Sequence, residues 1–177
     1  MSLKEITKDK HTEAEHTPFM KAIFAKNMPD DVWADYTHGK MLWYNAIESV
    51  ARSKGYLDDL PGIERSHFLY LDYKDMTDDK WPHRYKREMT DYYQYITDLN
   101  DERVLAHLYT WHMGDMYGGQ MIKTIIKGPH RSLEFKNVDM LKTNLRAKLH
   151  DGLGEEANKA FDWAIKILHT YDNQFNI

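Results

Sequence analysis

The sequence predicts an all-α fold in a single domain, residues 1–177, on three observations. Apolar residues recur at the three- and four-residue spacing of a helix face, as in Val104, Leu105, Leu108, Met113, Met116, Met121, Ile122 and Ile125. No segment alternates apolar and polar residues over the length of a strand. Capping residues and breakers, rather than linkers, separate the periodic segments: with 5 Pro and 9 Gly there is no low-complexity run and no repeat of fixed period.

Ser2 and Glu5 have the form of a capping box, which predicts a first helix starting almost at once and running to about His16. Thr17 followed by Pro18 reads as an N-cap and a first-position proline, opening a short helix to about Lys26 that stops at Met28-Pro29. Asp30 is expected to cap a long helix to Lys54, ended by Gly55, whose apolar stripe includes Trp33, Tyr36, Trp43, Tyr44, Ile47 and Val50. Tyrosine-rich helices are expected over Ile63–Tyr73 and His83–Leu99, with a polar break from Thr77 to Pro82. A helix from about Asn100 to Lys127 follows, ended by Gly128-Pro129. Asn137 is expected to cap a helix to about His150, and after Gly152 and Gly154 a last amphipathic helix runs to the C-terminus.

Composition narrows the chemistry. A formal net charge of −4 argues against a general nucleic-acid binder. No apolar run approaches the roughly 18 residues of a membrane span, and the N-terminus lacks an apolar signal core, so a cytoplasmic, membrane-free monomer is expected. Cysteine is absent, which excludes disulfides, thiolate nucleophiles, Cys-ligated zinc, iron–sulfur clusters and thiolate-ligated haem. The 10 His leave other metal chemistry open.

Two stretches carry the functional signal. On the first helix Lys4, Lys8, His11 and Glu15 follow one another at spacings of four, three and four, which gathers them within about 60° around the axis. An imidazole with a carboxylate one turn on has a partner able to fix its tautomer, the arrangement of a metal-ligating histidine. Two lysines on the same stripe suit anionic groups of a ligand. Read alone, however, the stripe fits a solvated face with charge pairs better. The second stretch is His107–Gln120, a helix that carries Gly114, Gly118 and Gly119 in its middle. Each costs roughly 1 kcal/mol of helical preference relative to alanine, so the glycines call for a reason. Together with Asp115 they fall within a sector of about 140°, a face without bulk and with a single acid. Either backbone there approaches something large and flat, or two helices pack closely through small residues, or the helix simply kinks.

Taken together, the two stretches resemble the haem oxygenase family. The run from Leu3 to Glu15, with Phe19 and Met20 after it, is similar to the family segment holding the proximal haem ligand. The run from His107 through Gly114-Asp115 to Gly118-Gly119-Gln120 is similar to its distal helix. Weaker similarity continues at Leu42–Glu48, Leu141–Arg146 and around Phe161. The resemblance implies a helical bundle of the haem oxygenase type, with haem b sandwiched between an N-terminal proximal helix and a glycine-rich distal helix. It implies His11 as iron ligand with Glu15 behind it, and Gly114, Gly118 and Gly119 as the distal glycines. Asp115 would be the distal acid that organises water, Lys4, Lys8, Lys142 and Arg146 would face the haem propionates, and Tyr44, Tyr109 and Phe161 would line the pocket.

The implied reaction opens haem, which is both substrate and cofactor, at the alpha meso carbon to give biliverdin, CO and ferrous iron. It uses O2 and electrons from an external donor: a ferredoxin, a flavodoxin or a flavoprotein reductase. A basic patch of Lys4, Lys8, Lys142, Arg146 and Lys148 suits an acidic carrier, and a bilin reductase would be a downstream partner. The chain departs from the family where Trp111 and Tyr117 stand in place of a frequent arginine and serine, and where the segment from Gln120 to Lys142 is short. Two other readings stay open. A haem carrier would have the same ligand and pocket. A di-iron carboxylate bundle would draw on Glu13 with His16, Glu64 with His67, and Glu48, the Glu-x-x-His spacing of such sites.

Overall fold

The helices are laid down by local signals and then trimmed by tertiary contacts. The computed structural model describes residues 1–78, 80 and 82–175, and among them there is no strand. Helix α1 (Leu3–Ile6) starts with both bonds of the predicted capping box: the Ser2 hydroxyl accepts from the Glu5 backbone N–H, and the Glu5 carboxylate accepts from the Ser2 N–H at 2.7 Å. The first helix is not continuous. At Thr7 the hydroxyl turns back onto the Leu3 carbonyl (2.7 Å) and the chain re-enters a helix as α2 (Lys8–Glu15). Helix α3 (Pro18–Phe24) begins as expected, with the Thr17 hydroxyl accepting from the Met20 N–H and Pro18 at the first position.

Helix α4 (Asp30–Ser53) is the axis of the bundle, and Lys54 and Gly55, the latter at φ +77°, turn the chain out of it. Asp30 is its first helical residue rather than its cap; with Asp31 it sits at the positive end of the helix dipole. Helices α5 (Ser66–Met76) and α6 (Arg87–Leu99) pack along α4. Gly39 permits the second of these contacts, because a Cβ there would lie 2.3 Å from the Met89 sulfur.

Both neighbours start later than their apolar patterns suggest, and each delay has a tertiary cause. The Glu48 carboxylate, reaching out of α4, accepts from the Ser66 N–H and hydroxyl (3.2 and 2.6 Å) and from the Arg65 N–H, so it caps α5 at Ser66 instead of Ile63. His83 is held by the Tyr73 hydroxyl at 2.9 Å, and the backbone is still extended at Lys86, so α6 begins at Arg87. Of the expected break at Thr77–Pro82, Asp79 and Trp81 lie outside the described residues.

The glycine-bearing helix begins at Val104, after a turn in which Asp101 accepts from the Arg103 N–H at 2.9 Å. It has three parts: α7 (Val104–Leu108), a π-helical turn (Tyr109–Met113) and α8 (Gly114–Ile125). A 3₁₀ turn (Arg131–Leu133) precedes α9 (Val138–Arg146). Asn137 sits at the N-cap position of α9 at φ 54° and makes no capping bond through its side chain, so the expected cap is not made. A second 3₁₀ turn (Asp151–Leu153) leads into α10 (Gly154–His169), which a third (Asp172–Phe175) follows. The last residues expected in a C-terminal helix, 176 and 177, lie outside the described residues. Helix α10 packs against α2, α3, α6 and α7, and one apolar cluster runs from Phe19 and Ile23 through Trp43, Ile47, Tyr92 and Leu105 to Ile167 and Leu168. Among the described residues no helix is long and apolar enough to cross a membrane.

A polar network crosses this core. The His107 Nε2 donates to Glu156 at 2.9 Å, and its Nδ1 accepts from the Tyr92 hydroxyl at 2.6 Å. The Trp111 indole N–H donates to the same phenol oxygen (2.9 Å), and the Tyr95 hydroxyl donates to Glu156 (2.6 Å). Every donor in this chain has an acceptor when His107 is neutral with its proton on Nε2. Burial holds His107 below the ordinary imidazole range, and the Glu156 carboxylate only partly offsets it. Burial pushes Glu156 upward, but the hydrogen bonds from His107 and Tyr95 outweigh it and leave the carboxyl lowered. Glu48 is lowered in the same way, its burial outweighed by His112, Arg65 and Ser66.

All three groups bind protons less readily folded than unfolded, so the stability they contribute is lost as pH falls. The thermal midpoint is expected to decline from about pH 6.5, where unfolded His107 takes up a proton, and further below about 4.5, where unfolded Glu48 and Glu156 do. Melting curves between pH 7 and 4 check this; a flat profile would contradict it.

Candidate functional site

Two open surfaces carry the exposed candidate residues, while Asp115 and Tyr44 lie inside the bundle. The first is on α1 and α2, where Lys4, Lys8, His11 and Glu15 are all exposed despite the break at Thr7. The His11 Nδ1 faces the Glu15 carboxylate at 3.5 Å, with the two side chains 58% and 51% exposed. The edge of the His11 ring meets Phe161 of α10, centroids 5.7 Å apart and planes at 86°. The imidazole is thus oriented from one side by an acid and from below by a ring, and among the described residues its Nε2 has no hydrogen-bond partner.

The second surface is on α8. Gly114 and Gly118 are exposed, and a Cβ at either would meet no atom within 4 Å. Tyr117 and Met121, on the same face, are 45% and 59% exposed. This is bare backbone flanked by two large soft side chains. Gly119 differs from them, because a Cβ there would come within 3.2 Å of the Leu133 Cδ2; it admits the 3₁₀ turn rather than a ligand. Gln120 closes that contact by donating to the Leu133 and Asp115 carbonyls (2.9 and 3.0 Å). The sequence thus groups three glycines that the structure divides into an open pair and a packing residue.

Asp115 points the other way, into the bundle. It is 8% exposed; the Tyr44 hydroxyl donates to Oδ2 at 2.6 Å and the Lys40 ammonium to Oδ1 at 3.0 Å. Burial, reinforced by the Asp115 charge, pushes the Tyr44 phenol far above its ordinary range, and Tyr36 is raised by the same two causes. Both stay protonated, so Tyr44 acts as a donor to the carboxylate. Behind Tyr44 its ring stacks on His112 (4.5 Å), whose Nε2 lies 3.0 Å from Glu48.

From α9, Lys142 and Arg146 reach the glycine face through Tyr117, with their cations 3.9 and 5.3 Å from its ring centroid. Lys148, the fifth member of the expected basic patch, is instead engaged with Asp59 at 2.6 Å. Tyr109 is half-buried, and its hydroxyl lies 3.5 Å from that of Thr7, which ties the α1–α2 corner to the start of the π turn. No His11 atom lies within 4 Å of a Cβ built at Gly114 or Gly118, so the imidazole does not fill the space above the glycines.

The carboxylate and histidine groups of the di-iron reading do not converge. Glu48 is used by His112, Arg65 and Ser66, Glu64 pairs with Arg52, and among the described residues no three acids or histidines are placed to hold a metal ion. Lys40 and the Glu48–His112 pair are the neighbours of the site that sequence reasoning overlooked. For Lys40 there was a signal: Tyr36, Lys40 and Tyr44 are one turn apart on the apolar stripe of α4, and a cation at such a position implies a buried acid.

A family model described as "Heme oxygenase" matches residues 1–143. The chain belongs to the haem oxygenase family. Among curated haem oxygenases it is 26% identical to heme oxygenase 2 of Mus musculus over 202 residues, and 27% identical to that of Macaca fascicularis over 205. Each comparison covers 96% of this chain but 64% of the relative, so the chain spans a little under two thirds of their length.

The fold is that of solved haem oxygenases. Heme oxygenase-1 of the cyanobacterium Synechocystis, a complex with heme, superposes with a TM-score of 0.85 at 20% identity over 98% of this chain and 91% of that one. The haem oxygenase of Leptospira interrogans gives 0.85 at 22% identity over 96% and 100%. Heme oxygenase-2 of Synechocystis, in complex with heme and NO, gives 0.86 at 22% identity over 98% and 84%. Within this haem oxygenase fold, Trp111 is turned away from Asp115, its N–H given to Tyr92, so the turn of helix before Asp115 brings it no cation.

Proposed function

We propose that the protein, acting over residues 1–177 as one unit, opens haem at the alpha meso carbon to biliverdin, CO and ferrous iron, using O2 and electrons from an external donor. The observation that carries this reading is the open pair Gly114 and Gly118 on α8, a bare strip of helix with free space above it and a buried acid beside it. A helix gives up side chains at two exposed positions one turn apart when backbone must lie against a flat partner. The residues fit haem: an imidazole with a free Nε2, a carboxylate on its Nδ1, and cations at the rims of both surfaces.

When bound, haem supplies the iron that activates O2 and the carbon that is oxidised. The chain supplies the rest. His11 holds the iron, and Glu15 on its Nδ1 fixes the tautomer and raises the donor strength of Nε2. Lys4 and Lys8 from one side, and Lys142 and Arg146 from the other, meet the propionates. Gly114 and Gly118 set how close the distal helix comes, and so which edge of the ring stays accessible. Phe161 and Tyr109 support the proximal and distal walls. Asp115 takes up a proton from solvent at its oxygens and passes it on through water while Tyr44 holds Oδ2 by a hydrogen bond, a general-acid role set back from the ring. Lys4, Lys8, Lys142 and Arg146 also form the basic surface on which a ferredoxin, flavodoxin or flavoprotein reductase docks. A carrier would need the imidazole and the glycines but not a polar cluster tied to Asp115, and that cluster favours catalysis. Haemin reconstitution followed by addition of reduced ferredoxin or ascorbate tests the reading: biliverdin absorbance replaces the Soret band in an oxygenase, and the Soret band persists in a carrier.

The glycines make a separable prediction. Gly118→Ala meets open space, so the apoprotein gains about 0.5–1 kcal/mol of helical preference and melts about 1–4 °C higher. Gly118→Leu leaves the apoprotein folded yet lowers haemin affinity by on the order of 10-fold or more, because the side chain stands where the ring would lie. Gly119→Ala brings no stabilisation, since Leu133 is already there. Thermal melts and haemin titration of the three variants decide it.

A further inference from the structure

We propose that Lys40 is the positioning residue of the distal acid: its ammonium, entering from α4, cancels the charge of Asp115 and fixes which way the carboxylate oxygens face. This rests on Asp115 acting as that acid, as proposed for the reaction.

The lysine is placed as few lysines are. Its side chain is 9% exposed, its ammonium lies 3.0 Å from Asp115 Oδ1, and the ring centroids of Tyr36 and Tyr44 are 5.9 and 4.9 Å from it. A cation taken out of water to this extent requires a compensating charge, and Asp115 is the carboxylate it bonds. The two partners are 75 residues apart in sequence, so the contact is a tertiary one between α4 and α8 and not a product of local geometry. With Tyr44 on Oδ2 and Lys40 on Oδ1, both oxygens of the acid are gripped from α4, and the carboxylate cannot rotate without breaking one bond.

Among the described residues no other cation takes this place. Trp111, one turn before Asp115, gives its N–H to Tyr92. Arg65, whose charge also senses Asp115, spends its guanidinium on the carbonyls of Gly62, Ile63, Glu64 and Glu134. Beyond Lys40 lies a cavity of about 10 Å³ lined in part by Thr37, Asp72, His130 and Ser132, enough for about one water molecule to take a second ammonium proton. The charged and titratable groups around the pair are therefore Tyr36, Tyr44 and Glu48 on α4, Arg65 just before α5 and Asp72 within it, His112 in the π turn, and His130 across the cavity. Among them Lys40 alone touches the acid with a positive charge.

A merely structural pin would lower stability when removed and change nothing else. A positioning charge also sets the electrostatic potential over the distal face. The test uses the ferric haemin complex of the full chain with Lys40→Met, Lys40→Gln and Lys40→Arg. All three should bind one haemin with the wild-type Soret band, because His11 is untouched. In Lys40→Met and Lys40→Gln the net charge beside the distal face becomes more negative. The midpoint of the acid-to-alkaline change in the visible spectrum should then rise by ~1 pH unit, and biliverdin yield per haem should fall ~10-fold. Lys40→Arg should restore both. Lys40→Gln keeps an N–H for Oδ1 and carries the test if Lys40→Met does not fold. A wild-type midpoint in the uncharged variants overturns the proposal, whatever happens to their melting temperature. If instead Asp115→Asn leaves midpoint and yield unchanged, the reading of Asp115 itself has failed; a large effect of Asp115→Asn with none from Lys40→Gln sinks the Lys40 proposal alone.

Discussion

Replacing His11 with alanine is expected to lower haemin affinity by on the order of 100-fold or more and to abolish the sharp, red-shifted Soret band of the one-to-one complex. The fold should not notice. His11 is 58% exposed and makes one edge contact with Phe161 and one long contact with Glu15, so the apoprotein should melt within about 2 °C of wild type. Free imidazole added to the variant should restore much of the band by occupying the vacated ligand position. Glu15→Gln should weaken binding less, by about 10-fold, because it removes the partner that orients the ring and not the ligand. The measurements are haemin titrations followed at the Soret maximum and melting curves of the apoproteins. Unchanged affinity in His11→Ala would remove the proximal half of the proposal.

Asp115→Ala is expected to cut biliverdin formation per bound haem by about 10²–10⁴-fold, the usual range for loss of a general acid, while haemin still binds. In its place the complex should oxidise added peroxidase substrates, since a pocket without its proton organiser loses control over which bond of bound oxygen breaks. The variant should also be unstable, because it leaves the Lys40 cation buried without a partner; losing one side of such a pair costs about 3–5 kcal/mol. Asp115→Asn keeps an oxygen for Lys40 and Tyr44 and should recover part of the stability without the activity. Tyr44→Phe leaves the ion pair intact and should fall between wild type and Asp115→Asn. Biliverdin absorbance under ascorbate turnover, read beside guaiacol oxidation, separates these outcomes; full biliverdin yield from Asp115→Asn would remove the distal half.

What the sequence disclosed and what it withheld follow from where each feature is encoded. The capping box at Ser2 and Glu5, the Thr17-Pro18 start and the Gly55 stop use neighbours in the chain, and all three occur as read. The late starts of α5 and α6 depend on Glu48 and Tyr73, residues 18 and 10 positions away from Ser66 and His83, and no local pattern reports them. The break at Thr7 is of the same kind, since Thr7 also faces Tyr109 across 102 residues. In the site itself, residue types that chemistry demands were legible: an imidazole with an acid one turn on, and glycines where a helix would avoid them. Their division of labour was not. Gly119 differs from Gly118 only in having Leu133 above it, and that contact exists because the chain turns back after α8.

The π turn at Tyr109–Met113 has a consequence for how this molecule can change. Winding the same five residues as ordinary helix would swing everything beyond them by roughly 90–100° relative to Val104–Leu108. Asp115 would leave Lys40 and Tyr44, and the bare strip at Gly114 and Gly118 would rotate toward the interior. The angular setting of the reactive half is therefore recorded in how this one turn is wound. A one-residue deletion inside the turn should be absorbed by ordinary winding, whereas one elsewhere between Val104 and Gly114 should be rejected, so that a setting for rotation lies inside a helix that looks unbroken.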